Sequence, residues 1–180
     1  MVPPHYFEQA ASDVDVDELG DIPSDPVLAL EHCESLAAGR GWTLLKKGAE
    51  PGTSWGDFTT TFGTELPVIF LSKKWDSLAV DEKALIACHE IVHTFTWERM
   101  GSRKFLPTYL INEGLWSIEV PAYRLTLTLW AAFNSATAGE IRAEARRLTN
   151  VLFDKYGLKR MPECMRARTE FLLYKDLLPE

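Results

Sequence analysis

One uninterrupted helical segment, from about Ala79 to Met100, constrains this 180-residue chain more than any other stretch. It contains neither proline nor glycine, and Gly101 follows it, a residue type that favours the C-terminal end of a helix. Apolar residues recur along the segment at helical spacing, and His89 and His93 lie four positions apart in a neighbouring stripe. We therefore predict an amphipathic helix that presents two imidazoles on one face.

The other segments give weaker signals for secondary structure. Asp25 followed by Pro26 predicts the start of a first helix, which ends near Gly41. Strands are predicted at residues 42–47, 55–61 and 67–72. Later helices are predicted at 109–119, at 121–136 with a break or kink at Pro121, from the capping box Thr137–Glu140 to before Gly157, and from Pro162 onward.

The net charge of −7 is concentrated at the start of the chain. Seven acidic residues lie within residues 1–25, and the remaining 19 acidic residues balance the 19 basic ones. Such a segment reads as an acidic arm, followed by a single domain at 26–180. We expect the arm to dock in a groove of its own domain, on a partner chain or on an assembly.

Several classes of protein are disfavoured by composition. Lysine and arginine are not clustered, which argues against nucleic acid as a partner. No apolar run reaches the roughly 20 residues of a membrane span, and the first residues do not resemble a secretory signal. We expect a cytoplasmic protein with no membrane partner, whose three cysteines are buried free thiols.

The string His89-Glu90-Ile91-Val92-His93 predicts a metal site. Histidines four apart on a helix can both place a ring nitrogen about 2.0–2.1 Å from one ion. Glu90 lies about 100° further round the helix than His89, beside the metal, where it can take a proton from a metal-bound water. We predict one Zn²⁺ per chain, with Glu90 as the general base.

A catalytic zinc ion needs a third protein ligand, and no histidine follows His93. Glu119 and Glu113 are the two candidates, 26 and 20 positions after His93. Glu119 is preferred because Ala122, three residues later, would allow close approach to the metal helix, whereas Glu113 is followed at that spacing by Trp116. The carboxylate that is not a ligand would lie near the site.

Groups that could stabilise an oxyanion are also found in this region. Tyr109, Tyr123 and Arg124 all carry hydrogen-bond donors. Tyr123 is the one we predict to be catalytic.

These strings resemble the gluzincin peptidases in two ways. Asn112-Glu113-Gly114 looks like the third-ligand segment of thermolysin-like and aminopeptidase-type enzymes. Glu119-Val-Pro-Ala-Tyr123, with Tyr109-Leu110 before it, is similar to short phage and bacterial zincins that carry Glu-x-x-Ala-Tyr after the second histidine. The second resemblance covers under half of the chain.

The resemblance implies an α+β class, the minimal zincin fold, in which a small twisted sheet packs on the metal-binding helix and the C-terminal half is helical. It implies a zinc-dependent peptidase acting on a peptide or protein, peptidoglycan peptides included, with the strand at 67–72 bordering the cleft so that substrate adds as an extra strand. The alternative is a metal-binding zincin-fold assembly component, for example of a phage particle, without proteolytic activity. Such a component would be virion-associated.

Overall fold

The computed structural model describes residues 19–45, 56–59, 68–71, 75–155, 158 and 161–178. These residues fall into two compact units, one within Val16–Phe105 and the other within Leu106–Glu180. Most of the predicted acidic arm, residues 1–18, lies outside the described residues. The arm at 1–25, its partners and the single domain at 26–180 therefore stay predictions.

Six helices and three short strands make up the described secondary structure. In chain order they are α1 (Pro26–Gly39), β1 (Thr43–Leu45), β2 (Gly56–Thr59), β3 (Val68–Leu71), α2 (Val80–Met100), α3 (Ser102–Tyr109), α4 (Asn112–Phe133), α5 (Ala138–Lys155) and α6 (Glu163–Tyr174), with a 3₁₀ turn at Trp75–Ser77 before α2. None of the helices in the described part of the chain has the length and apolar character needed to cross a bilayer.

The expected α+β class with a twisted sheet as a layer of the fold is wrong, because the described structure is predominantly helical. The helices have 14, 21, 8, 22, 18 and 12 residues, whereas the strands have three, four and four. A strand of four residues extends only about 13 Å. Within the residues that the structure describes, the strands therefore do not form a layer comparable with the helices.

The order of the strands corrects a second expectation. β3 is central, parallel to β1 with Thr43 opposite Val68 and antiparallel to β2 with Gly56 opposite Leu71. A central strand has its backbone donors and acceptors paired on both sides. A substrate peptide therefore cannot add to β3 as an extra strand, contrary to the expectation for the strand at 67–72.

Helix α1 forms where the sequence predicted it and packs on α2. The Asp25 carboxylate accepts hydrogen bonds from the N–H groups of Val27 and Leu28, at 2.9 and 3.0 Å, and so caps the helix. Its buried residues are Ala29, Cys33 and Ala37. These small side chains recur every four residues on one face, which lets the two helix axes approach closely.

Helix α2 carries the histidines and has the predicted ends. The Glu82 carboxylate accepts a hydrogen bond from the Ala79 N–H at 3.0 Å, and the helix ends at Gly101, whose φ of 74° is easily adopted only by glycine. Every residue from Glu90 to Trp97 is buried. The prediction of an amphipathic helix is thus wrong for this half of α2, which is enclosed on all sides.

Helix α4 runs without interruption through Pro121, so the break predicted there does not occur. Proline at this position removes one internal hydrogen bond, the one that would reach the Ser117 carbonyl. The helix nevertheless continues because it buries a long apolar face, which includes Trp116 and Leu127 at 0% exposure.

The core of the second unit is formed mainly by α4, α5 and α6. Trp116 donates its indole N–H to the Thr169 hydroxyl at 2.8 Å, which joins α4 to α6. The predicted capping box opens α5, since Glu140 accepts from the Thr137 N–H at 2.8 Å and Thr137 accepts from the Glu140 N–H at 3.4 Å. The cluster consists of Leu115, Trp116, Val120, Tyr123, Leu127, Ile141, Ala145, Leu148, Leu152, Phe153, Leu158 and Leu173.

Candidate metal centre

The two histidines of α2 face each other through their Nε2 atoms. These nitrogens are 3.2 Å apart, and the ring planes are nearly perpendicular, at 86°. Two ligands each about 2.0–2.1 Å from a tetrahedral ion would be separated by about 3.3 Å. The spacing of His89 and His93 along one helix therefore already suits two neighbouring positions of a single ion.

Glu119 of α4 completes a group of three potential ligands. One carboxylate oxygen of Glu119 and one ring nitrogen each from His89 and His93 all lie within 4.8 Å of one another. His93 and Glu119 are buried, at 4% and 1% exposure, and His89 is half-buried. This group can hold a metal ion, and its donors, two imidazoles and one carboxylate, are those of many catalytic zinc sites.

Glu113, the alternative third ligand, is placed differently. It is exposed in the first turn of α4 and is not part of the group. The six residues that separate it from Glu119 correspond to about 9 Å along the helix axis and about 240° around it. The two carboxylates therefore cannot serve one ion together.

Glu90, the predicted base, is buried on α2 with 6% exposure. Among the described residues, the buried carboxylates and histidines are Glu90, His93 and Glu119. Burying the nearby threonines costs less free energy, because Thr94 and Thr96 each donate a hydrogen bond to a carbonyl four residues earlier in α2. Burying ionisable groups is costly unless they are paired or bind a ligand. A metal ion bound by His89, His93 and Glu119 would offset part of this cost.

A tyrosine contacts the candidate ligand Glu119, an arrangement that the sequence analysis does not predict. The Tyr109 hydroxyl donates to Oε1 of Glu119 at 3.1 Å. Tyr123 belongs to the hydrophobic core cluster, where its charge interaction contributes to raising the pKa of Arg147 after the larger effect of Glu144. Arg124 forms an ion pair with Asp176. The catalytic role predicted for Tyr123 stays a prediction.

Cys88, next to His89 in the chain, is not a further ligand. A side-chain hydrogen bond with Cys33, followed by burial, raises the pKa of the Cys88 thiol far above its usual range. Among the described residues, the group that could hold a metal ion does not include Cys88. Cys33 and Cys88 are buried as predicted, whereas Cys164 is exposed, contrary to the prediction.

Comparison with known proteins gives no assignment: no family model matches the chain, and no curated protein or solved structure is significantly similar to it. The function of the chain therefore has to be inferred from the chemistry of the site.

Proposed function

We propose that the protein is a zinc-dependent hydrolase that cleaves peptide bonds in a peptide or protein substrate. One observation carries the proposal. Among the described residues, the buried carboxylates and histidine are Glu90, His93 and Glu119. Glu90 and His93 belong to the His89-to-His93 string, and Glu119 is the third potential ligand. A protein that needed only a stable core would gain by replacing them with apolar residues.

Zinc is the metal that this donor set favours. Calcium and magnesium prefer sites made entirely of oxygen ligands, whereas two imidazoles with one carboxylate suit zinc and leave a fourth position open. When bound, Zn²⁺ polarises a substrate carbonyl and lowers the pKa of a coordinated water to about 7. His89, His93 and Glu119 would hold the ion.

Glu90 supplies the acid–base chemistry in this proposal. As the attacking water forms its bond to the scissile carbonyl carbon, the Glu90 carboxylate accepts a proton from it. The same carboxyl group then donates that proton to the amide nitrogen as the C–N bond breaks, so that Glu90 ends in its starting state. A purely structural zinc usually has four protein ligands and needs no neighbouring base.

The decisive variant is Glu90→Gln, which keeps the size of the side chain but removes its ability to accept a proton. Bound zinc should be unchanged, while hydrolysis of an unfolded protein or a peptide library should fall by about 10²- to 10⁴-fold. Glu163→Gln, the same substitution at a side chain with 90% exposure, is the matched control and should behave as wild type. Peptidoglycan peptides form a second substrate panel.

Two results would overturn the proposal. Full activity in Glu90→Gln would assign the proton transfer to another group. If wild type binds zinc but cleaves nothing in either panel, and Glu90→Gln functions normally in the native setting, the protein is a metal-binding assembly component.

A further inference from the structure

Gly114 is packed against the residue that precedes Tyr109. A side chain at Gly114, in the first turn of α4, would overlap the carbonyl oxygen of Thr108 and come within 2.6 Å of its Cγ2 atom. Backbone atoms cannot yield to such an overlap without a shift of the α3–α4 turn. Glycine is therefore required here by the close approach of Thr108, which gives the glycine of the Asn112-Glu113-Gly114 string a structural explanation.

This contact bears directly on Glu119. Tyr109 follows Thr108 and is half-buried, and its hydroxyl donates to Oε1 of Glu119. A carboxylate that accepts a hydrogen bond from a fixed donor has fewer orientations available to it. Thr108, Tyr109, Gly114 and Glu119 thus form one connected arrangement within the second unit.

We propose that Tyr109 is a positioning residue that orients the Glu119 carboxylate for metal binding, and that the contact between Gly114 and Thr108 fixes Tyr109 in place. The proposal rests on the metal site of the proposed function. It deepens that function because Tyr109 would act on the metal ligand Glu119 and not on the substrate. The tyrosine keeps its proton throughout and acts only as a hydrogen-bond donor.

Zinc affinity of the full chain tests this, measured by competition with a chromophoric chelator. Tyr109→Phe removes only the hydroxyl and should weaken zinc binding by about 10- to 100-fold, the usual effect of losing a hydrogen-bond partner of a metal ligand. Gly114→Ala should weaken it as well, although alanine otherwise favours a helix. The visible spectrum of the Co²⁺-substituted protein should change in both variants, because the carboxylate is reoriented.

Two matched controls separate positioning from general damage. Tyr174→Phe removes a hydroxyl from a partly buried tyrosine of α6, and Gly139→Ala adds a methyl group in α5 where no atom lies within 4 Å. Both should bind zinc as wild type does. If Gly114→Ala fails to fold, Tyr109→Phe decides alone.

Unchanged zinc affinity in a folded Tyr109→Phe protein would overturn the inference, even if hydrolysis fell, because Tyr109 would then act on the substrate. Failure of the proposed function gives a different result. A wild-type protein that binds zinc through Glu119 but hydrolyses nothing would refute the peptidase while leaving the role of Tyr109 intact. A wild-type protein that binds no transition metal would overturn both.

Discussion

Glu113 and Glu119 lie on the same helix in opposite environments: Glu113 is exposed in the first turn of α4, whereas Glu119 is 1% exposed and belongs to the ligand group. Only Glu119 accepts a hydrogen bond from Tyr109. The difference between the two carboxylates can be tested with identical substitutions.

Glu119→Gln should weaken zinc binding by at least about 100-fold, since it replaces an anionic ligand with a neutral amide. Glu113→Gln should leave the affinity within about twofold of wild type. Elemental analysis of protein purified without chelator, supported by competition titration, measures both. His89→Ala should also abolish the binding of one zinc ion per chain. If Glu113→Gln lost the metal and Glu119→Gln kept it, Glu113 would be the ligand instead of Glu119.

Local signals in the sequence were sufficient for the helix that carries the chemistry. Gly101 and the absence of proline determined the extent of α2, and the spacing of His89 and His93 determined their convergence. The extent of α2 and the convergence of its histidines both depend on residues that are a few positions apart, and such spacings can be read from the sequence. The cap at Asp25 and the capping box at Thr137 were predictable for the same reason.

The role of Tyr109 depended on a turn that the sequence did not reveal. If residues 109–119 formed one helix, as predicted, Tyr109 would lie about 15 Å along the axis from Glu119. The break at Leu110 and Ile111 removes that separation and allows the hydrogen bond. The fold class was wrong because six helices account for most of the described secondary structure, whereas the runs predicted as strands account for little of it.

Thr169→Val should lower the free energy of unfolding by about 1–3 kcal/mol, because the fully buried indole N–H of Trp116 loses its acceptor. Thr149→Val is the matched control. The hydroxyl of Thr149 is buried but has no hydrogen-bond partner among the described residues, so valine should be neutral or stabilising there. Urea denaturation of both variants measures the difference, and equal losses would contradict the explanation.

The N-terminal end of α5 should become less stable in acid. Hydrogen bonds from the Thr137 side chain, and then from its backbone, hold the pKa of Glu140 below its usual value. A depressed pKa in the folded state means that the stabilisation is present above the unfolded value of about 4.3 and is lost as the pH falls through the folded value. Amide exchange protection at residues 138–141, corrected for the intrinsic effect of pH, should therefore decrease below about pH 4.3 in wild type.

Glu140→Gln provides the control for this prediction, because glutamine does not titrate. Protection in that variant should not depend on pH through the same range. If the amide exchange protection of the wild-type protein also stayed constant as the pH fell, the Glu140 carboxylate would contribute nothing to the stability of the N-terminal end of α5.

One of the three cysteines should react rapidly with a thiol reagent in the native protein, and all three should react after unfolding. Cys164 is exposed, whereas Cys33 and Cys88 are buried at 1% and 0% exposure, and the raised pKa of Cys88 further suppresses its thiolate. Cys164→Ser should remove the rapid phase completely. Rapid labelling that persists in this variant would place Cys33 or Cys88 within reach of solvent.

The unbroken burial from Glu90 to Trp97 affects how divergence among related sequences should be interpreted. Selection for packing acts on every position of this stretch, so an apolar residue there can stay invariant over long periods without taking part in chemistry. His89 is different, since it is half-buried and its replacement removes little packing. If the proposed metal site is lost in a lineage, we expect His89 to be substituted before the fully buried residues of the segment, so that a change at His89 would record the change of function.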